Sequence, residues 1–318
     1  MKVSVILCTF NRAQSLAEAL ASVAASEVPP SVEWEVLVVD NNSNDRTKEV
    51  IGRFCSEHPS RFRYLFEARP GKSHALNAGI RATSGDVIAF VDDDVVVEAD
   101  WLANLTNALD VGRWSGSGGK ILPRWESTPP RWLPRKDRYA LAPLAMFDPG
   151  CAAGALDEPP FGTNMAFRRE MFEKHGNFRV DLGPRPGSEI RNEDTEFGQR
   201  LLDRGEPLRY EPSAVVHHAV SPGRLRKQYF LKWWYDKGRA DIREFGIRPG
   251  TRWFAMGMPL YLVRRLVMSI VRWMAAMEPS LRFERKTKVW GKLGEIAECR
   301  VNSDRAGLVR AGGLHESR

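Results

Sequence analysis

An α/β fold, with a mainly parallel sheet flanked by helices, is what the first two-thirds of this sequence predict. Three observations carry the prediction. Apolar runs rich in β-branched residues alternate with stretches of helical character. The runs lack the period-two alternation of a half-wetted strand, so both of their faces are buried. Three of the runs end in polar residues, and in parallel sheets ligands bind beyond the carboxyl ends of the strands.

The elements follow in order. Residues 3–10, VSVILCTF, read as a first strand that begins almost at the initial Met, with no leader pattern before it. An Ala- and Leu-rich stretch to about Ala25 reads as helix. Residues 35–40, EVLVVD, form a second strand, and Asn41 to Asp45 supply turn and cap chemistry before a helix toward Cys55. Residues 62–66 are a third strand, Arg69-Pro70-Gly71 breaks the chain, and 73–81 reads as helix. Residues 87–91, VIAFV, form a fourth strand that runs into Asp92-Asp93-Asp94. Residues 123–160 are a proline-rich loop holding Trp125 and Trp132, of a length usually reserved for function. Residues 161–167 return as a strand, 183–188 are a Gly/Pro loop, about 195–204 is helix, and 208–218 is a last strand ending at His217-His218.

The length of 318 residues suits one large domain, or one domain with an appendage. Cys8, Cys55, Cys151 and Cys299 are scattered, which argues against a zinc site or a disulfide framework and for a reducing compartment. The net charge of +7 is unevenly spread. Residues 222–292 carry 17 Lys and Arg against 5 Asp and Glu, while residues 1–221 are mildly acidic. Such a segment suits an anionic membrane, nucleic acid or an acidic substrate. We expect three parts: a catalytic domain over 1–221, a basic, aromatic-rich helical segment over 222–292, and a polar tail over 293–318.

The candidate chemistry sits at the strand ends. Three adjacent carboxylates at Asp92 to Asp94 repel one another, and a hard divalent ion, Mg2+ or Mn2+, would compensate them. The competing reading is a solvated acidic turn. Asp40 is suited to a base or ribose, or to capping the next helix. Lys72, at a helix start, adds a positive point charge for phosphate, although neither the Walker nor the dinucleotide glycine pattern is present. In Asn192-Glu193-Asp194 a carboxylate is placed to take a hydroxyl proton, with a plain N-cap as the alternative for Asp194. Either His217 or His218 is a candidate metal ligand.

Together these segments resemble the inverting family 2 glycosyltransferases of the GT-A fold. VSVILCTFNR with EVLVVDNNSNDRT, GKSHALNAGI, IAFVDDDVVV, and GTNMAFRRE followed by NEDTEFGQRLLDRG carry the likeness, over about residues 1–220. The resemblance implies a metal-dependent, hexosyl-transferring enzyme. It would move one sugar from a nucleoside-diphosphate sugar, with a lean toward UDP, to a hydroxyl of a glycan or lipid-linked acceptor. Thr9 and Asp40 match nucleobase positions, Asp92 the ribose contact and Arg224 a diphosphate contact; Asn11 and Lys72 are assigned to the same donor site. Asp94 and His218 match the metal ligands, and Asp194 the general base. Asn164, Glu193 and Trp125 are assigned to the acceptor side. Gln228 and Trp233 are five residues apart, unlike the Q-x-x-R-W spacing of polymer-making members, so single-sugar transfer in envelope or exopolysaccharide synthesis is expected.

In the basic segment, 260–277 reads as an amphipathic helix. Arg264, Arg265 and Arg272 fall at relative angles of about 0°, 100° and 80°, away from Leu262, Val263, Leu266, Val267, Ile270, Val271, Trp273, Met274 and Met277. Each arginine would cost about 2.5–3.5 kcal/mol inside a spanning helix. The helix is expected on an anionic membrane surface, the alternative being packing on the protein. A cytoplasmic enzyme, peripheral on the inner face of the cell membrane, is the corresponding location. Two other classes remain: a nucleotide-sugar-forming nucleotidyltransferase, which lacks its usual Gly-rich loop here, and a non-catalytic membrane-binding protein. No nucleic-acid partner is expected, because no RNA-binding motif is present. The sequence does not specify an oligomeric state.

Overall fold

The computed structural model describes residues 1–110, 113–133 and 140–303. Residues 134–139 of the expected proline-rich loop and 304–318 of the expected tail lie outside the described residues. The chain divides into two compact units. The first holds Met1–Trp125, Leu144–Pro186 and Glu193–Val220; the second holds Glu126–Pro143, Gly187–Asn192 and the chain from Ser221 onward.

The first unit opens as β1 (Lys2–Thr9), α1 (Ala13–Ala24), β2 (Glu33–Asp40), α2 (Thr47–Glu57), β3 (Phe62–Phe66), α3 (Lys72–Ala82) and β4 (Val87–Asp92). It continues through β5 (Val95–Val97), α4 (Trp101–Asp110), β6 (Gly116–Trp125), β7 (Gly154–Ala155), β8 (Asn164–Arg168), α5 (Arg169–His175), α6 (Glu193–Asp203) and β9 (Leu208–Val220). Among the described residues nine strands form one mixed sheet in the order β3-β2-β1-β4-β8-β6-β9-β5, with β7 beside β9. Its first four strands are parallel, as the continuous apolar runs require. The apolar runs of the central strands β1, β2 and β4 are buried, among them Val5, Ile6, Val38, Val39, Ile88 and Phe90.

Register sets the functional edge. Thr9 pairs with Asp40, and Cys8 pairs with Asp92, so β1, β2 and β4 end side by side. Beyond β4 the sheet turns antiparallel through β8, and β6 then runs parallel to β9. The expected strand at 161–167 begins later, at Asn164, because Asn164 N–H first closes a turn onto the Phe161 carbonyl at 2.9 Å. The last strand runs past the two histidines to Val220, so they lie within β9 opposite β5 rather than at its end. Strand β6, whose final residues fall in the expected loop, begins with a glycine-rich stretch, GSGGKILPRW. A Cβ at Gly119 would overlap the Ala214 carbonyl oxygen and the Asn164 amide, so only glycine lets β6 lie this close to its neighbours.

The second unit contains α7 (Lys227–Phe245), β10 (Phe254–Ala255), β11 (Met258–Pro259), α8 (Leu260–Met274) and α9 (Pro279–Ser303). α7 and α9 cross at backbone contact, since a Cβ at Gly238 would overlap the Gly291 carbonyl oxygen. Ile242, Leu262, Ile296 and Cys299 form a small core. The buried Glu298 carboxylate accepts hydrogen bonds from Arg239 Nε at 2.9 Å and Arg243 Nε at 2.6 Å, so this interior charge is compensated. Trp132 packs edge-on against Phe230 and Phe283 at 5.3 and 4.6 Å. α8 stops at Met274, three residues short of the expected end. α9 runs through residue 293, where the polar tail was expected to begin. Among the described residues no helix is long and apolar enough to cross a membrane.

Candidate active site

Level strand ends bring the polar side chains of the first unit together. Asp40 is buried; its Oδ1 accepts from Ser43 N–H at 2.9 Å and its Oδ2 from the Tyr64 hydroxyl at 3.2 Å. Asn11 holds a left-handed backbone, φ 52°, and locks the same turn: its N–H donates to Ser43 Oγ and its Oδ1 accepts from Asn44 N–H at 2.8 Å. Asn41 pins the Arg69-Pro70-Gly71 loop, accepting from Gly71 N–H at 2.7 Å and donating to the Glu67 and Arg69 carbonyls. This places Lys72 at the start of α3 beneath the end of β4.

The three aspartates have three different environments. Asp92 accepts from Lys72 Nζ at 2.6 Å and from Thr163 Oγ1 at 2.9 Å. Burial opposes its ionisation most strongly, but the Lys72 charge and the hydrogen bonds from Lys72 and Thr163 together hold the carboxyl below its usual range. Asp93 is buried, with Thr9 Oγ1 donating to it at 2.7 Å and Arg12 Nη1 at 3.0 Å. Burial pushes its pKa up to about 6 despite Arg12, and the Asp94 charge adds to the rise. Asp94 accepts from the same Arg12 nitrogen at 2.7 Å, and its other oxygen lies 3.5 Å from His218 Nε2. His217 instead turns to Glu98, at 3.0 Å. Of the two histidines, His218 is the one beside the aspartates.

The start of α6 joins the cluster from a distant part of the sequence. Asp194 Oδ2 accepts from Gly162 N–H at 2.6 Å, and Thr163, the next residue, donates to Asp92. Two consecutive residues therefore tie Asp194 to the first aspartate of the triplet. Lys72 Nζ makes a second tie, 3.6 Å from Glu193 Oε1 as well as bonded to Asp92. Burial works against the Lys72 charge, but Asp92 and Glu193 hold it on, well above the usual lysine range. Glu193 is buried, and burial followed by the Asp194 charge pushes its pKa up to about 7.

That shift has a sign. Between pH 4.5 and about 7 the folded protein keeps a proton on Glu193 that the unfolded chain releases, so stability falls as pH rises through this window. Glu193→Gln is expected to flatten the fall, recovering up to roughly 3 kcal/mol at neutral pH. Unfolding free energies of both proteins across this window check it.

The remaining expected residues lie elsewhere. Asn164 is fully buried, and its amide serves protein partners: Nδ2 donates to the Lys120 and Ala214 carbonyls, and Oδ1 accepts from Trp101 Nε1 at 2.8 Å. It thus braces β6, β8 and β9 beneath the edge. Trp125 is exposed at the end of β6. Arg224 belongs to the second unit, in a turn where its N–H donates to the Ser221 carbonyl at 3.0 Å. Three contributors were not assigned from sequence: Arg12, Asp93 and Thr163. The TFNR segment and the triplet contained the first two, but nothing in a linear pattern shows which aspartate an arginine will reach.

A divalent ion fits this donor set. Asp92, Asp93, Asp94, Glu193 and Asp194 gather around Lys72 and Arg12, so the cluster carries more acids than bases. Asp94 Oδ1 and His218 Nε2, an oxygen and an imidazole nitrogen, lie 3.5 Å apart. Among the described residues no ready-made group of three His, Cys, Asp or Glu ligands forms, so further ligands would come from substrate phosphate and water.

The mixed sheet flanked by helices is a GT-A-like fold. The mannosyltransferase PcManGT from Pyrobaculum calidifontis, solved in complex with GDP-Man and Mn2+, shares the fold. Its TM-score is 0.57 at 21% identity, covering 98% of this chain and 77% of that one. The chain belongs to glycosyl transferase family 2, whose family model matches residues 4–176. Succinoglycan biosynthesis protein ExoM of Rhizobium meliloti is 28% identical over 247 residues, 76% of this chain and 75% of that protein. Glucosyl-dolichyl phosphate glucuronosyltransferase of Haloferax volcanii is 26% identical over 258 residues, 76% and 78% of the two chains. This protein is a glycosyltransferase with relatives in exopolysaccharide and glycan synthesis.

Proposed function

We propose that the enzyme transfers one sugar, with inversion, from a nucleoside-diphosphate sugar to a hydroxyl of a glycan or lipid-linked acceptor in cell-envelope or exopolysaccharide synthesis. UDP is the favoured nucleotide. The observation that carries the reading is the Gly162–Thr163 tie, which joins Asp194 to Asp92 and so sets a base beside a donor edge. In this reading Asp40, Thr9 and Asn11 frame the nucleoside, Asp92 takes the ribose, and Lys72 faces the diphosphate. Asn164, Glu193 and Trp125 are assigned to the acceptor side, with Asn164 acting by bracing the sheet. Residues 1–221 form the catalytic part, and 222–292 lie in the basic helical segment, whose last helix continues to Ser303. The cytoplasmic face of an anionic membrane is the proposed place of work.

The chemistry follows from the side chains. Asp194 is held by backbone N–H groups at both oxygens, from Gly162 at 2.6 Å and Thr195 at 2.8 Å. A carboxylate has about four lone-pair sites, so two remain to take the proton of the attacking hydroxyl. With one base and one in-line attack, the anomeric configuration inverts. Asp94 and His218 would hold a divalent ion, Mn2+ or Mg2+, which when bound offsets the charge of the departing nucleoside diphosphate.

A thermal-shift panel of nucleoside-diphosphate sugars with Mn2+ tests this reading. A matching donor at about 100 times its Kd is expected to add about 2.7 kcal/mol of stability. Asp94→Ala and His218→Ala are each expected to lose the Mn2+-dependent part of that gain. No donor-dependent shift across the panel, with the protein folded, would count against the reading.

A further inference from the structure

Residues 245–277 contain five arginines and no Asp, Glu or Lys. They include the β10–β11 hairpin and α8 of the second unit. At the hairpin tip Met256 and Gly257 hold φ 51° and 75°, a left-handed pair between Ala255 and Met258, which are paired across the hairpin. A non-glycine residue is uncommon there, and this one presents its side chain to solvent, with Met256 83% and Trp253 75% exposed. Phe254 is exposed beside them. The Leu260 N–H donates to the Trp253 carbonyl at 2.9 Å, so the hairpin leads directly into the first turn of α8.

α8 faces two ways. Taking Leu260 as the origin at 100° per residue, buried Leu262 lies at about 200° and packs toward Ile242, Ile296 and Cys299. Leu260, Val267, Val271 and Met274 lie between about 320° and 20°, on the opposite side, and all are exposed. Met268 extends the strip at about 80°, while Arg272 and Arg265 flank it at about 120° and 140°. Arg264 lies within the strip near the helix start, where its long stem can carry the charge outward. The expected apolar face is thus divided: Leu262 and Leu266 pack on the protein, while Val267, Val271 and Met274 do not.

We propose that the hairpin tip and this strip of α8 form one surface that inserts into the boundary between headgroups and acyl chains of an anionic bilayer. The inference rests on the reading of a membrane-surface enzyme and names the element that makes the contact. Trp253 and Phe254 suit the interfacial zone, and the arginines meet lipid phosphate. A second copy docked on the same patch would set five arginines against five with no carboxylate between them. With 15 residues, α8 reaches only about 22 Å, short of the roughly 30 Å of a bilayer core, so it lies in the surface.

Co-sedimentation of the full chain with phosphatidylcholine vesicles, with and without phosphatidylglycerol, tests the proposal. Binding is expected only with the anionic lipid and is expected to weaken in salt. A combined Trp253→Ser, Phe254→Ser and Met256→Ser variant is expected to bind roughly tenfold more weakly or worse. Replacing Arg264, Arg265 and Arg272 by Gln is expected to weaken it on the order of a hundredfold. An unchanged unfolding midpoint shows that these variants fold, and an unchanged donor-induced thermal shift keeps the sugar-transfer reading separate. Brominated acyl chains are expected to quench tryptophan fluorescence less in Trp253→Phe than in the parent. Parent-like binding by the hairpin variant overturns this surface and leaves the membrane reading standing. No vesicle binding by the folded parent overturns both. Self-association lost in the hairpin variant, without vesicle binding, assigns the patch to a second copy and overturns the proposal.

Discussion

Asp194→Asn is expected to abolish sugar transfer while leaving the donor bound. In the proposed mechanism Asp194 is the only side chain asked to take the acceptor proton. Loss of a general base typically costs about 10²–10⁴ in rate. The substitution is nearly isosteric, and the fold contacts it touches are two backbone N–H groups, from Gly162 and Thr195. An amide oxygen accepts one of these, and its NH2 must face the other donor, which loosens the Gly162–Thr163 link locally. Asp92, Lys72 and Asp94 keep their own partners. Donor- and Mn2+-dependent thermal shifts should therefore survive in the variant while product formation does not. Turnover within tenfold of the parent would move the base to another group, and Glu193 would be the first to test.

The parallel half of the fold was legible because its signals are local. A strand stretch buried on both faces must be largely apolar, and β1, β2 and β4 each carry such a run at residues 5–7, 36–39 and 87–91. In the antiparallel half β8 and β9 were read with shifted ends, but β6 was not. β6 escaped reading because Gly116, Gly118 and Gly119 carry no strand propensity; they are glycines because Phe167, Pro160 and Ala214 occupy the space a Cβ would need. That cause lies 40 or more residues away in the chain and leaves no periodic trace. The site divides in the same way. Asp92, Asp94, Asp194 and His218 stood out as residue types near the expected strand and helix ends. Asp93 had no assigned role, yet it is the aspartate that Thr9 and Arg12 hold. Thr9, read for the nucleoside, spends its hydroxyl on that buried carboxyl.

The charge of the cluster adds a physical reason for that arrangement. Three neighbouring carboxylates cannot all be buried with full charge at acceptable cost. Arg12 spans Asp93 and Asp94, and Lys72 holds Asp92, so each acid has a cation or a raised pKa. Arg12 therefore offsets the charge of both Asp93 and Asp94, and the other oxygen of Asp94 lies 3.5 Å from His218 Nε2.

Gly294→Ala is expected to destabilise the second unit, against the usual sign for this substitution in a helix. Alanine is favoured over glycine by about 1 kcal/mol at an open helical position. Gly294 lies in α9 against α7, and a Cβ there would overlap the Tyr235 carbonyl oxygen and come within 3.2 Å of Arg239 N. These are backbone atoms, so no rotamer change relieves the clash and the helices must separate. Overpacking of this kind costs about 1–3 kcal/mol, and separation would also strain the Arg239 and Arg243 bonds to buried Glu298. Gly52 in α2 is the matched control, since nothing lies within 4 Å of its Cβ position. Gly52→Ala should stabilise by about 0.5–1 kcal/mol through the unfolded chain and helix propensity alone. Chemical denaturation of the two variants would give opposite shifts. A stabilised Gly294→Ala protein would mean that α7 and α9 do not meet at backbone contact in solution.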